Sequence, residues 1–116
     1  MTCIVHRRDG DDRILATDVT VADSFLAKAR GLMFRRSFPD GSALVFPFER
    51  PAQRTLHMVA VPFDIDALWL RDGRVERVAR LSAWTGVGRG TADTIIELPA
   101  GAAAGVSEGD VVRIDD

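Results

Sequence analysis

Glycine and proline interrupt this chain at short intervals, and this punctuation limits it to short structural elements. Ten glycines and five prolines are spread over 116 residues. Both residues end helices and strands, and short apolar runs between turn residues are typical of β-strands. We therefore predict a mainly β fold, a sandwich or a partly closed barrel, in one domain spanning residues 1–116.

The apolar and β-branched runs predict eight short strands. They cover residues 3–7, 14–21, 43–48, 54–61, 64–70, 74–81, 94–98 and 110–114. Pro47 indicates that the third strand ends there or lies at a sheet edge, because proline cannot donate a ladder hydrogen bond. The small, Gly- and Ala-rich segment 99–108 could form one helical turn.

One short helix is predicted within residues 23–30. Asp23 or Ser24 can cap its N-terminus by accepting backbone N–H bonds. Phe25, Ala29 and Leu32 follow at spacings that place them near one face, which should pack on the sheet. Gly31 can end the helix by adopting a positive φ.

Asp72-Gly73 predicts a two-residue hairpin loop between the strands at 64–70 and 74–81. The register that follows pairs Leu70 with Val75, Leu68 with Arg77, Asp66 with Ala79 and Asp64 with Leu81. Asp64 and Asp66 would then share an apolar face, where burial and like charge raise a carboxyl pKa and suit it to acid–base work. The simpler interpretation, which we favour, is that Asp64 caps the turn after Pro62 and Asp66 pairs with an arginine.

Four blocks together resemble a known family. They are residues 29–35 (Ala-Arg-Gly-Leu-Met-Phe-Arg), 56–65 (starting Leu-His-Met), 96–101 (Ile-Glu-Leu-Pro-Ala-Gly) and 109–110 (Gly-Asp). Their order and spacing resemble domain-of-unknown-function family 192, also called uncharacterised protein family 0127. The resemblance implies a β-rich jelly roll or sandwich with a short helix before Gly31, and it implies no activity.

Two departures from that family bear on the site and the location. Many members have Trp-Met where this chain has His57-Met58, and often Asn-Thr where it has Ala60-Val61. Many members also carry an export signal, and the charged N-terminus here does not resemble one. We therefore expect a cytoplasmic protein without a membrane-spanning segment, since apolar runs fall far short of about 20 residues.

Charge and ligand chemistry exclude several classes of site. The net charge of −2 gives no broad positive field to attract nucleic acid, although the basic residues are fourteen arginines and one lysine.

Cys3, His6 and His57 are too few and scattered for a zinc site, so we predict no metal and no cofactor. We expect a surface His6 and a packed His57. The glycines at 86, 88 and 90 indicate a mobile loop rather than a phosphate cradle.

Glu97 lies in the apolar run Thr94-Ile95-Ile96-Glu97-Leu98. Both faces of that strand carry large apolar residues, so we expect an interior strand with Glu97 at least half buried. A buried carboxylate needs a partner. We predict a structural bond from Glu97 to Arg30, to Arg35, or to backbone N–H groups of the Gly31 turn.

A site is expected in the cleft between residues 31–36, 57–64 and 82–91. The candidate site residues are Arg30, Gly31, Met33, His57, Met58, Asp64, Asp66, Trp84 and Glu97. Our first hypothesis is a non-catalytic β module, monomeric or weakly dimeric, that binds a small molecule or a protein partner. The alternative is a small hydrolase that uses Asp64, Asp66 or Glu97 with His57; a nucleophilic Ser42 or Ser82 also stays open.

Overall fold

The computed structural model describes the backbone of all 116 residues and every side chain except that of Phe25. The elements are β1 (Cys3–Arg8), β2 (Asp11–Ala16), β3 (Asp18–Val21), α1 (Phe25–Arg30), β4 (Ser42–His57), β5 (Ile65–Arg71), β6 (Arg74–Leu81), β7 (Val87–Pro99) and β8 (Val111–Asp115). The strands form one mixed sheet in the order β2-β1-β8-β6-β5-β7-β4-β3. Only β3 and β4 pair in parallel among these strands, and the mainly β class is confirmed.

The central strands β5 and β7 are apolar on both faces, and each face builds its own core. On one side Leu68 and Ile96 pack with residues of β1, β2 and β8. On the other side Trp69 and Ile95 pack with residues of β4 and of the turn after α1. The curved sheet thus encloses one apolar layer on its first face. The α1 turn and the loops cover the apolar layer on its second face, and this arrangement fits a sandwich-like fold or a partly open barrel. The one helix among the described residues is far too short and polar to cross a membrane.

The N-terminal half differs from the predicted strands in two places. The run 14–21 is divided at Thr17, because the backbone N–H groups of Thr17 and Asp18 both donate to the Gly41 carbonyl. Conversely, the predicted strands 43–48 and 54–61 form one long strand, β4, which ends at His57. Its pairing with β7 is interrupted between Pro47 and Ala52, so the prolines there need no ladder donor.

The hairpin of β5 and β6 has the predicted loop but only part of the predicted register. Leu70 faces Val75 as expected, and a bulge then shifts the pairing by one residue, so that Asp66 faces Arg80 instead of Ala79. The predicted pairs of Leu68 with Arg77 and of Asp64 with Leu81 are wrong for the same reason. A bulge adds a residue to one strand and cannot be inferred from loop length alone.

The helix begins and ends as predicted, but it packs less closely on the sheet than we expected. Ser24 accepts a hydrogen bond from the Ala27 N–H, and Gly31 has φ 50°. Leu32 is buried in the core, whereas Ala29 is exposed; the predicted contact of Phe25 lies outside the described side chains. The helix therefore stands partly away from the sheet.

The glycine-rich segment 86–90 is not a mobile loop, because Val87 begins β7. A Cβ on Gly90 would lie 2.8 Å from Cγ of Trp69, and one on Gly88 would lie 2.8 Å from its Cη2. The indole of Trp69 is fully buried and donates from Nε1 to the Arg54 carbonyl at 3.0 Å. These glycines make room for that ring. After β7, the segment 99–108 forms successive turns closed by bonds such as Ala102 N–H to the Pro99 carbonyl.

Candidate functional site

A cleft of about 230 Å³ lies between α1 with its following turn and the outer part of β4. We call it the Glu97 cleft. Five of the predicted site residues line it together, namely Arg30, Gly31, Met33, His57 and Glu97. They come from three separate parts of the chain, so the fold brings together residues that the sequence leaves far apart.

Glu97 forms the floor of this cleft. Its register places it on β7 between Leu44 of β4 and Ala67 of β5, and it is only 5% exposed. The predicted structural bond is wrong: among the described side chains and backbone, Glu97 has no hydrogen-bond or ion-pair partner. Burial raises the pKa of Glu97 to about 8, although the Arg35 charge opposes this shift. The carboxyl group is therefore mostly protonated at neutral pH and can both donate and accept a hydrogen bond.

Gly31 shapes the wall beside this carboxyl group. Its φ of 50° and ψ of −124° lie in a region that residues with a Cβ avoid. The space that a side chain would fill is bounded by Phe46 Cζ at 3.5 Å and Glu97 Oε1 at 3.7 Å. The absence of a side chain at Gly31 thus keeps one side of the carboxyl group open.

The surroundings of the cleft are basic. A neighbouring cleft of about 560 Å³, which we call the basic groove, shares Lys28, Phe46 and Leu56 with the Glu97 cleft. In it the Phe48 ring lies between Lys28 Nζ, 4.6 Å from the ring centre, and the Arg54 guanidinium, 3.6 Å from it. The chain from residue 24 to residue 39 contains four basic residues and no acid. Glu97 is the only acid among the described residues that line either cavity.

His57 is exposed rather than packed, and its ring is held by a local bond. The Val59 N–H donates to His57 Nδ1 at 3.2 Å. A neutral His57 therefore carries its proton on Nε2, and that nitrogen can donate to a ligand. His6, predicted at the surface, is instead buried, and its Nε2 lies 2.8 Å from Asp110 Oδ2.

Asp64 and Asp66 do not line the Glu97 cleft. Asp66 is buried and accepts bonds from Arg80 Nε at 2.5 Å, Gly101 N–H at 2.9 Å and Ala103 N–H at 3.0 Å. Asp64 accepts from the Ala83 N–H at 2.8 Å, across to the next loop rather than within the turn after Pro62. Asp66 pairs with an arginine as the simpler interpretation proposed, and both acids fasten loops to the sheet.

Met58 and Trp84 also lie outside the cleft. Met58 is buried in the core. Trp84 is exposed on a loop, and its own backbone N–H donates to the Val61 carbonyl at 2.9 Å. We expected the segment 82–91 to border the site. It instead bonds to the backbone of Val61 and does not line the cleft.

The predicted site residues and cleft segments omit five residues that also line the cleft, namely Lys28, Ala29, Phe46, Thr55 and Leu56. Phe46 pairs with Ile95 across the β4–β7 ladder, so it lies two residue pairs from Glu97 and on the same face. That neighbour could be found only by pairing strands far apart in sequence. Lys28 had a local signal, since it is the only lysine of the chain and precedes Arg30 on the helix.

Comparisons with known proteins agree on the fold. Residues 5–114 match the model of the DUF192 family, described as "Uncharacterized ACR". The UPF0127 protein TK1120 of Thermococcus kodakarensis is 38% identical over 56 residues, which are 48% of this chain and 36% of that relative. The match thus spans only about a third of the relative's length.

Two solved structures resemble the whole chain. A protein of unknown function from Novosphingobium aromaticivorans has a TM-score of 0.82 at 23% identity, over 96% of this chain and 83% of that one. A Sinorhizobium meliloti protein, whose description assigns it provisionally to transcription regulation, has a TM-score of 0.82 at 22% identity, over 97% of this chain and 93% of that one. The TM-scores establish that the fold is shared, while identities this low do not transfer a function to this chain.

Proposed function

This chain belongs to the DUF192 family, and we propose that it is a non-catalytic β domain that binds a small ligand in the Glu97 cleft. The observation that carries the proposal is Glu97 itself: the residue is only 5% exposed and its carboxyl group has no protein partner among the described residues, while its oxygens remain open to the cleft. Burying such a group costs free energy, and a fold does not gain stability from it. A ligand bound in the cleft supplies the hydrogen bonds that the protein does not make to the Glu97 carboxyl group.

The shape of the site supports a small, partly apolar ligand. The Glu97 cleft of about 230 Å³ shares five lining residues with the basic groove of about 560 Å³, and together they reach the size of ordinary ligand sites. Phe46 and Leu56 line both cavities, so an apolar body can rest on them while a polar group reaches Glu97. A few polar groups in an apolar pocket set the orientation of a ligand.

Benzamide is a suitable probe, because its amide both donates to and accepts from a protonated carboxyl group. We expect millimolar benzamide to shift the backbone amide resonances of Gly31, Leu32 and Thr55 in a ¹H–¹⁵N NMR spectrum. Ala29→Trp should abolish these shifts, because Ala29 lines both cavities. Leu26→Trp is the matched control, since Leu26 is exposed on the same helix and lines none of the cavities around the cleft. Shifts that are absent, or that survive Ala29→Trp, would refute the proposal.

A hydrolase that uses Glu97 and His57 is the second candidate, because both residues line one cleft and a carboxyl pKa of about 8 suits a general acid. Two observations weigh against it. Asp64 and Asp66 are committed elsewhere, and the bond from Val59 leaves the basic nitrogen of His57 occupied. Hydrolysis of p-nitrophenyl acetate that is lost in Glu97→Gln would favour this candidate over simple binding.

A further inference from the structure

We infer that the ligand of the Glu97 cleft is an organic anion, a carboxylate with an apolar body. This inference rests on the proposed function and adds the chemical class of the ligand. A third cavity, of about 240 Å³, shares Arg30 and Gly31 with the Glu97 cleft. Among the described residues, the Glu97 cleft, the basic groove and this third cavity are lined by one acid, Glu97, and by four cations, Lys28, Arg30, Arg35 and Arg54. No other acid of the described lining competes for those charges.

The cations of the α1 turn are free for a ligand, whereas nine of the fourteen arginines use their side chains in ion pairs or hydrogen bonds within the described structure. Six ion pairs are formed within the described structure, and they involve Arg7, Arg71, Arg80 and Arg113 together with His6. Lys28, Arg30 and Arg35 take part in none of them. A row of unpaired cations beside a ligand cleft attracts anions and repels cations.

Glu97 is compatible with an anion because its carboxyl group, at the floor of the cleft, is mostly protonated at neutral pH. A protonated carboxyl group donates a short, strong O–H···O⁻ bond to a carboxylate. Lys28 and Arg30 of the helix and His57 of β4 line the same cleft as Glu97, and the charge of Arg35 from the turn also acts on it. On the β5 side, Glu97 pairs with the apolar Ala67. A cationic ligand would instead have to pass this basic rim and ionise Glu97.

The geometry also orients the ligand. The carboxylate would lie at the Glu97 end, near Arg30, and the apolar body would extend over Phe46 and Leu56 into the basic groove. Arg54 is already bound to the Ala92 and Arg50 carbonyls, so it contributes charge but few free donors. Lys28 and Arg30 are therefore the cations expected to contact the anion.

Benzoate, benzamide and benzylammonium form a matched series that differs in one charged or neutral group. We expect benzoate to bind about tenfold more tightly than benzylammonium by NMR titration, with benzamide between them. Arg30→Ala and Lys28→Ala should each weaken benzoate about fivefold and leave benzamide nearly unchanged. Arg36→Ala is the control, because Arg36 is exposed and lines none of the three cavities.

The outcomes separate this inference from the proposed function. If benzylammonium binds best, or if Arg30→Ala and Lys28→Ala weaken benzoate no more than Arg36→Ala does, the anion class is wrong while the binding site stands. If none of the three probes shifts the cleft amides, the binding site itself is refuted. Glu97→Gln supplies a further check, because its amide N–H₂ can still donate: it should retain benzoate binding, whereas Glu97→Ala should lose most of it.

Discussion

Glu97 and Gly31 face each other across the cleft: a Cβ on Gly31 would lie 3.7 Å from Oε1 of Glu97. One residue is a buried acid without a partner, and the other is a turn residue in a conformation that favours glycine. The two come from a helix end and a central strand. The backbone conformation of Gly31 explains why the chain has a glycine at this turn, and the missing side chain leaves the carboxyl group accessible.

Gly31→Ala tests the backbone part of this relationship. The added methyl group would make only ordinary contacts, at 3.5 Å or more, so the cost comes from the backbone conformation. We expect a loss of about 1 kcal/mol or more in the free energy of unfolding, measured by chemical denaturation. Ala27→Gly, at an exposed helical position, controls for general changes in this segment and should cost about 1 kcal/mol at most. An unchanged stability of Gly31→Ala would contradict the strained conformation.

The sequence predicted local features well and long-range pairings less well. The Ser24 cap, the positive φ of Gly31 and the Asp72-Gly73 loop each depend on a few adjacent residues, and all three are present. The bulge between Trp69 and Leu70 lies inside the hairpin but is not specified by its loop. The fusion of two predicted strands into β4 depends on β7, a partner far along the chain. Local propensity has no access to such partners.

The candidate site shows the same division. Alternation in the run 94–98 predicted a buried Glu97 on an interior strand, and this is confirmed. The predicted arginine bond was wrong, because the short helix stands off the sheet and leaves a cleft between Arg30 and the carboxyl group. How far apart two elements pack depends on the side chains between them, which a single sequence does not specify.

Asp66→Asn tests the loop anchor on the other side of β5. The carboxylate is buried and binds Arg80 and two backbone N–H groups. The substitution replaces one acceptor oxygen by a donor, and we expect a loss of about 3 kcal/mol in the free energy of unfolding. Arg80→Ala should cost less, because the Arg80 side chain is 55% exposed and the backbone bonds remain. Equal losses in the two variants would show that the ion pair, rather than the loop anchor, dominates.

Gly90→Ala tests the interpretation that the glycine-rich strand makes room for Trp69. The new Cβ would lie 2.8 Å from Cγ of a fully buried ring, which cannot move without breaking its bond to the Arg54 carbonyl. Overpacking of this kind typically costs about 1–3 kcal/mol. Gly101→Ala, where no atom lies within 4 Å of the added carbon, measures the cost of a positive φ alone. A Gly90→Ala variant as stable as the wild type would contradict this interpretation.

Glu97→Gln tests the protonation of the buried acid through the pH dependence of stability. The pKa of Glu97 rises from 4.5 to about 8 on folding, and burial is the main cause. Between these two values the unfolded chain ionises Glu97 while the folded chain keeps its proton. The unfolded state then binds fewer protons, so folding becomes less favourable as the pH rises through this window. Above about pH 8 both states are ionised and the cost stays constant.

Glutamine cannot ionise, so the variant is free of this cost. We expect Glu97→Gln to gain stability over the wild type progressively from pH 4.5 to about pH 8, by several kcal/mol at most, as measured by urea denaturation at a series of pH values. Glu76→Gln, at an exposed position on β6, should show no such trend. A constant difference between Glu97→Gln and the wild type would mean that Glu97 is already ionised in the folded protein. The cleft would then present a negative floor, and Glu97 could not donate the proposed hydrogen bond to a ligand carboxylate.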